Sequence, residues 1–364
     1  MPTRMPNDGN ALFSAFPALA DRVPFSPLGR FPTRVHRLSG VLPPAVDLWV
    51  KRDDESGTAY GGNKVRKLEF LVADAVARKK SRLITMGGFG SHHVLATAVY
   101  GRAAGLEVDA VVFPQPITEH VKETVLAAAS TGLTYHPVAG IPSVGPRVLA
   151  LRARRGSVWI AAGGSSPVGS LGYVAAGLEL AAQIAAGECP IPDVIYVALG
   201  SCGTAAGLLV GLRAAGITSR LVAVQVVDRV VCNRGATLRL AARTRRLIEK
   251  KLEKRLPIES GASGKPGIGD FIVDPRFFGG AYGLATDEAT SAVAAAAASG
   301  LPLETTYTGK TFAALLADAQ AGLLDGKRVL FFDTYSSVDL APLLAAAPAP
   351  ALLPPRLAKL FETP

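Results

Sequence analysis

Residues 193–204, DVIYVALGSCGT, carry the pattern that decides the fold. Asp193 to Leu199 is a short apolar run without polar alternation, of a length that suits a strand covered on both faces. Gly200-Ser201-Cys202-Gly203-Thr204 follows and opens a helix running to about Ala214. Outward from this unit the same order recurs. Arg82 to Met86 ends in Gly87-Gly88 before a helix from about His92 to Ala104, and Val108 to Phe113 precedes a helix over Thr118 to Ser130. Val158 to Ala162 leads through Gly163-Gly164 to a helix over Leu171 to Ala186; Val46 to Lys51, Leu221 to Val227 and Arg328 to Phe332 read as further strands. Thr286 to Ser299 reads as a helix capped by Thr286 and stopped by Gly300. Strand, glycine turn and helix in repetition predict an α/β fold of mostly parallel twisted sheets covered by helices. In such sheets ligands sit at the carboxyl ends of strands, where the glycine turns are.

A chain of 364 residues is too long for one ordinary core, so two domains are expected. Residues 1–45 are proline-rich and read as an arm that wraps a surface. The formal net charge of +10 invites a nucleic-acid partner. Much of the excess lies in Arg243 to Arg255, RTRRLIEKKLEKR, an amphipathic helix pattern with no aromatics for base stacking. A solvated basic face is the expected reading, and no nucleic-acid partner. Three cysteines, Cys189, Cys202 and Cys232, are odd in number and form no C-x-x-C pair, which argues against a disulfide framework or a zinc site. No secretory pattern opens the chain and no window reaches the apolar length of a membrane span, so a reducing cytoplasm is the expected address.

Chemistry concentrates in four places. Gly61-Gly62-Asn63-Lys64-Val65-Arg66-Lys67 puts a lysine on a tight turn at the mouth of a helix. Such a lysine suits an imine to an aldehyde, with Arg66 and Lys67 as a cationic neighbourhood that could also meet a phosphate. The plainer reading is a solvated basic turn. Gly200 to Thr204 offers helix-start N–H groups and two hydroxyls to a phosphate. It matches neither dinucleotide nor nucleoside-triphosphate loops, although Asp228 beyond the next strand keeps a nicotinamide reading open. Gly87-Gly88-Phe89-Gly90-Ser91-His92-His93 could hold a carboxylate at a helix start, or Ser91 could simply cap the helix while His93 packs. Adjacent histidines lack the spacing of a metal pair, so no metal is expected. Tyr282, Tyr307 and Thr334 lie beside glycine turns or strand ends near the C-terminus, where tyrosines serve as acids, bases or stacking rings.

KRDD followed by GGNKVRKLEFLVADA resembles the lysine segment of the pyridoxal-phosphate-dependent D-cysteine desulfhydrase and 1-aminocyclopropane-1-carboxylate deaminase family. The similarity continues in order through GGFGSHH, GGSSPVGSLGYVAAGLEL, GSCGTAAGLLVGL, AYGLATDEA, TYTGK and the FFDT strand end, spanning roughly residues 20 to 340. The resemblance implies a tryptophan-synthase-β-like, type II fold. Residues 1–66 and 177–364 would form a large cofactor domain, and 67–176 a small domain carrying the carboxylate turn. It implies pyridoxal 5'-phosphate as cofactor, a small amino-acid substrate and a homodimer. Lys64 would carry the cofactor, and Lys67 with Gly200, Ser201, Cys202, Gly203 and Thr204 would grip its phosphate. Ser91, His92 and His93 would receive the substrate carboxylate, Tyr282 and Tyr307 would line the substrate face, and Thr334 would meet the pyridine nitrogen.

The departures from the family pattern fall around the pocket. His92 stands where an asparagine normally bonds the cofactor's ring hydroxyl. Thr308 stands where cyclopropane-opening deaminases carry glutamate, which leans away from that activity. Tyr335 and Ser336 replace two glycines and are expected to add bulk beside ring and substrate. Glu304, Thr305 and Thr306 likewise differ from an Asp-Pro-Val before the tyrosine. The expected reaction is removal of the α-proton by Lys64 and expulsion of a β-leaving group, giving 2-oxo acid and ammonia. The alternatives are β-replacement by a biosynthetic synthase and a catalytically silent binding protein.

Overall fold

A computed structural model describes residues 9–258 and 271–362; the first eight residues of the expected arm lie outside the described residues. Two sheets organise the chain. Strands β1 (Val35–Arg37), β2 (Asp47–Arg52), β7 (Val194–Leu199), β8 (Arg220–Gln225), β9 (Phe271–Asp274) and β10 (Arg328–Asp333) form a six-stranded sheet in the order β1-β2-β10-β7-β8-β9. Strands β3 (Arg82–Gly88), β4 (Glu107–Phe113), β5 (Thr134–Pro137) and β6 (Ser157–Trp159) form the second, in the order β5-β4-β3-β6. Every pairing is parallel except β1 with β2, where Val35 faces Lys51. β1, β5 and β9 escape the pattern reading because they are three or four residues long and sit at or beside sheet edges.

β7 shows why the parallel reading succeeds. All six of its side chains are buried, with Ile195 and Val197 on one core and Val194 and Tyr196 on another, so helices cover both faces. The helix Pro167–Ala185 supplies part of that cover and corrects the expectation about membrane spans. It is 19 residues long with a mean hydropathy of 1.3, long and apolar enough to cross a bilayer, yet 72% of its apolar window is buried inside the fold. It packs against the helices Asn63–Ala77 and Gly203–Ala214 as a core element. The basic segment is helical only as far as Leu252, within the helix Arg234–Leu252, which Glu253 ends in the left-handed region; its buried positions Thr237, Ala241, Thr244 and Ile248 mark one stripe and leave the charges on the other face.

The expected cationic turn is divided by the fold. Arg66 is buried in ion pairs with Asp53 (2.7 Å) and Glu179 (2.9 Å), and its guanidinium lies 4.1 Å from the Phe31 ring centre. Lys51 donates to the same Glu179 at 2.5 Å, and Tyr173 to Asp53 at 2.6 Å. This network ties β2, the lysine helix and the helix Pro167–Ala185 together. Arg66 is thus committed to buried carboxylates and not to the cationic neighbourhood expected beside the lysine.

Candidate active site

Lys64 sits in the first turn of the helix Asn63–Ala77, fixed by a glycine turn that other side chains could not form. Gly62 has φ of +81°, and a Cβ there would lie 2.3 Å from the Tyr335 carbonyl oxygen. Gly61 N–H donates to Ser336 Oγ at 2.9 Å and Asn63 N–H to the Thr334 carbonyl at 3.2 Å, so the end of β10 is bolted to the lysine turn. The Lys64 amine donates to Asn63 Oδ1, and Asn63 Nδ2 donates to Thr204 Oγ1 at 3.1 Å. Lys64 is therefore one hydrogen-bonded residue away from the loop after β7. Burial lowers its pKa to about 8, with the Glu304 carboxylate opposing the shift.

That loop, Gly200 to Thr204, delivers the start of the helix Gly203–Ala214 to the same place. Lys67 Nζ lies beside it, buried, donating to the Gly163 carbonyl at 3.0 Å; among the described residues no carboxylate pairs with it. Ser165 Oγ donates to Ser201 Oγ at 2.8 Å and accepts from Gly203 N–H at 3.1 Å, which shapes the loop from the neighbouring glycine turn. A Cβ on Gly200 would stand 2.8 Å from the Tyr307 ring, so glycine leaves the tyrosine room to lie over the loop. The buried Lys67 amine, whose pKa burial and then Lys64 push well below 10.5, and helix-start N–H groups around one loop form a donor set that fits a phosphate. The residues present therefore fit pyridoxal phosphate, with Lys64 as the amine within reach of the same cavity.

One correction falls on this loop. Cys202 and Cys232 form a disulfide with Cα atoms 6.0 Å apart, where cysteine count and spacing argued against any. The two lie 30 residues apart in sequence, but parallel pairing of β7 with β8 brings the segments after both strands to one edge. Cys189 is free and buried.

The turn Gly87 to His93 closes the cavity from the smaller sheet. Ser91 Oγ caps the helix His92–Ala103 by accepting from Val94 N–H at 3.4 Å, and it also lines a cavity of about 460 Å³ together with Lys64, Ser201, Thr204, Tyr282 and Tyr307. His93 lines it too; its Nε2 is hydrogen-bonded to Thr85 Oγ1 at 2.9 Å, and burial holds its pKa well below 6.5. The Tyr282 and Tyr307 hydroxyls are hydrogen-bonded to each other at 2.8 Å, with rings 6.1 Å apart at 71°. Burial raises both phenol pKa values, so both hydroxyls stay protonated. Tyr307 lies with its ring centre 5.7 Å from the Lys64 amine.

His92 and Tyr335 go elsewhere. Neither lines the 460 Å³ cavity; both border a smaller one of about 20 Å³ shared with Tyr60, Lys64, Glu304, Tyr307 and Thr334. Their rings meet edge to face at 5.6 Å, so the two departures from the family pattern form a single packed cluster. The Tyr335 ring packs against His92 and borders the small cavity that Lys64 also lines. Thr308 points back to Glu304, accepting from its N–H at 3.0 Å. Asn63, Ser165 and Tyr60 were not singled out in the sequence, and Glu304 stood out only as a departure from the family pattern. Asn63 and Ser165 stand inside quoted motifs, yet only their partners across the fold show what they hold.

Residues 27–334 match the model of the family described as "Pyridoxal-phosphate dependent enzyme". The chain is 31% identical over 333 residues to a putative 1-aminocyclopropane-1-carboxylate deaminase of Pyrococcus abyssi, covering 89% of this chain and 93% of that protein. It is 33% identical over 307 residues to a D-cysteine desulfhydrase of Yersinia enterocolitica, covering 80% and 84%. A nocardicin C-9' epimerase of Nocardia uniformis subsp. tsuyamanensis is 38% identical over 213 residues, a match spanning 56% of this chain and 64% of that protein. The crystal structure of an ACC deaminase homologue superposes with a TM-score of 0.73 at 26% identity, covering 94% of this chain and all of that one. With the lysine turn, the phosphate-fitting loop and the tyrosine pair on one cavity, this chain belongs to the pyridoxal-phosphate-dependent enzymes, and within them to the 1-aminocyclopropane-1-carboxylate deaminase and D-cysteine desulfhydrase type.

Proposed function

We propose that the protein is a lyase that removes the α-proton of a small amino acid and expels its β-substituent, releasing 2-oxo acid and ammonia. The observation that carries this reading is the convergence of Lys64, Ser91, the 200–204 loop and the Tyr282–Tyr307 pair on one cavity. Lys67 and the loop N–H groups would hold the cofactor phosphate, Lys64 would carry it covalently, and Thr334 would face its pyridine nitrogen. Bound pyridoxal phosphate supplies an electron sink for charge developing at the α-carbon. Ser91 and the helix start behind it hold the substrate carboxylate, with neutral His93 beside them. Lys64, with a pKa near 8, takes and returns the α-proton. The tyrosine hydroxyls, protonated and paired with each other, would donate to a departing β-group. A large domain of residues 1–66 and 177–364 and a small one of 67–176, a homodimer and a cytoplasmic address complete this reading.

Purified holoprotein should be yellow, borohydride should bleach the visible band, and peptide mapping should find the label on Lys64. Product analysis across D- and L-amino acids bearing β-leaving groups should then give 2-oxo acid and ammonia from one enantiomer. A label on Lys51, Lys67 or Lys310, or a colourless protein that binds a nicotinamide cofactor, overturns the reading. A second reading, epimerisation at the α-carbon, is favoured by the similarity to the Nocardia epimerase. It shares the first proton transfer and predicts recovered substrate of both configurations with no ammonia.

A further inference from the structure

Tyr60, His92 and His120 lie in a row. The Tyr60 hydroxyl is hydrogen-bonded to His92 Nδ1, and His92 Nε2 to His120 Nε2 at 3.0 Å. The His92 ring lies 6.2 Å from that of Tyr60, and 5.0 Å from that of His120. The inner end of the row opens on the small cavity that Lys64 also lines, whereas the His120 side chain is 37% exposed at the start of the helix Glu119–Ser130. Tyr335 covers the row, its ring centre 5.6 Å from that of His92 and 6.2 Å from that of His120. We propose that Tyr60, His92 and His120 conduct protons between the Lys64 chamber and solvent.

Each member can both give and accept a proton without passing through a trapped charge. Burial raises the Tyr60 phenol pKa well above 10, so the hydroxyl transfers its proton only by exchange. Burial, then the charges of His120 and Lys64, hold the His92 imidazole well below 6.5, so it stays neutral with one nitrogen donating and one accepting. A proton entering at the Tyr60 oxygen displaces its hydroxyl proton to His92 Nδ1; His92 Nε2 passes its own to His120, and His120 releases one to water. One proton enters and one leaves, and the ring tautomers are reset when the row next carries a proton inward from water, so each outward transfer is paired with an inward one and the row exchanges protons with solvent. The charged and titratable groups around His92 are Lys64 on its helix, His120 and, beyond it, Glu123 on the helix Glu119–Ser130, Tyr335 after β10, and Glu304 across the cavity. The conduit rests on the proposed function for its purpose: a lysine that collects an α-proton must discharge it to be ready again.

Alanine, which has no β-leaving group, isolates the proton step. Holoenzyme in D₂O should exchange the α-proton of one alanine enantiomer. In His120→Ala that exchange should fall about tenfold or more in weakly buffering solution, and added imidazole should restore it in proportion to its concentration. Unchanged exchange in His120→Ala, or a loss that imidazole does not relieve, overturns the conduit. In cofactor-free protein, ¹⁵N signals of the His92 ring should report a hydrogen bond at Nε2 that is lost in His120→Ala. If wild-type enzyme exchanges neither enantiomer, the lyase reading fails, and the ring signals decide the conduit by themselves: His92 ring signals unchanged by His120→Ala overturn it.

Discussion

Lys64 titrates near pH 8 because the protein buries its amine, not because other cations crowd it. Arg66, the cation expected beside it, is turned away into carboxylates. The pH dependence of cofactor loading follows. The folded lysine pKa is lowered, so the reactive amine fraction rises as pH rises and saturates above about 8. Covalent attachment of pyridoxal phosphate to cofactor-free protein, followed by its visible band, should speed up about tenfold per pH unit below that point and level off above it. A flat profile between pH 6 and 9, or a midpoint near the free-lysine value, would sink the assignment. Lys64→Ala should leave no borohydride-reducible attachment. The lysine was legible because two glycines and a helix start surround it locally. Its partners Asn63, Tyr60 and Glu304 were not, because each gains its meaning from strand order. The end of β10, 270 residues downstream, supplies the floor under the lysine turn, through the bond from Asn63 N–H to the Thr334 carbonyl.

At the scale of elements, the site depends on where helices begin. The helix Thr308–Gln320 has no side-chain cap at Tyr307, and Glu304 does that work from outside it. Glu304 Oε1 accepts from the N–H groups of Tyr307 (2.8 Å) and Thr308 (2.9 Å), and Oε2 from that of Thr306 (2.7 Å). These bonds hold the turn that aims Tyr307 at the lysine. Glu304→Ala should cost about 1–2 kcal/mol in urea unfolding, the usual price of a lost helix cap, and should loosen the Tyr282–Tyr307 pair. Equal stability of the two proteins would show that water replaces the cap without loss. Gly200→Ala tests the opposite end of the same contact. Its methyl would meet the Tyr307 ring at 2.8 Å, and overpacking of that kind costs about 1–3 kcal/mol. Weaker pyridoxal-phosphate binding by equilibrium dialysis, with the fold retained by circular dichroism, is the expected result; unchanged binding would mean the ring moves freely. Strands and glycine turns of the parallel sheets were legible from apolar runs. The Glu304 cap was not, because a carboxylate four residues before a helix has no periodic signature, and the disulfide was not, because Cys202 and Cys232 meet only through strand pairing.

For the whole molecule, the two sheets meet at the site, but the larger sheet is tied to its helices by a buried charge network below it. Glu179 receives Lys51 at 2.5 Å and Arg66 at 2.9 Å, with both cations almost fully buried. Burial alone would raise the Glu179 pKa, but Arg66 and Lys51 outweigh it and bring it down to about 2. A carboxylate depressed in the folded state contributes stability above its unfolded pKa and loses it as pH falls through the folded value. The contribution of Glu179 should therefore be intact at neutral pH and disappear between about pH 4.5 and 2. Glu179→Ala removes one partner and leaves two cations buried around the gap, a change that costs about 3–5 kcal/mol. In urea unfolding at pH 7 the variant should be weaker by that amount, and the difference from wild type should shrink toward zero as the pH is lowered to 2. Because the network lies beneath the lysine helix, the variant should also bind pyridoxal phosphate less tightly while Lys64 still takes the label. A variant as stable as wild type at pH 7, or a deficit that does not change with acid, would show that the buried cations find other partners and that the network is dispensable to the fold.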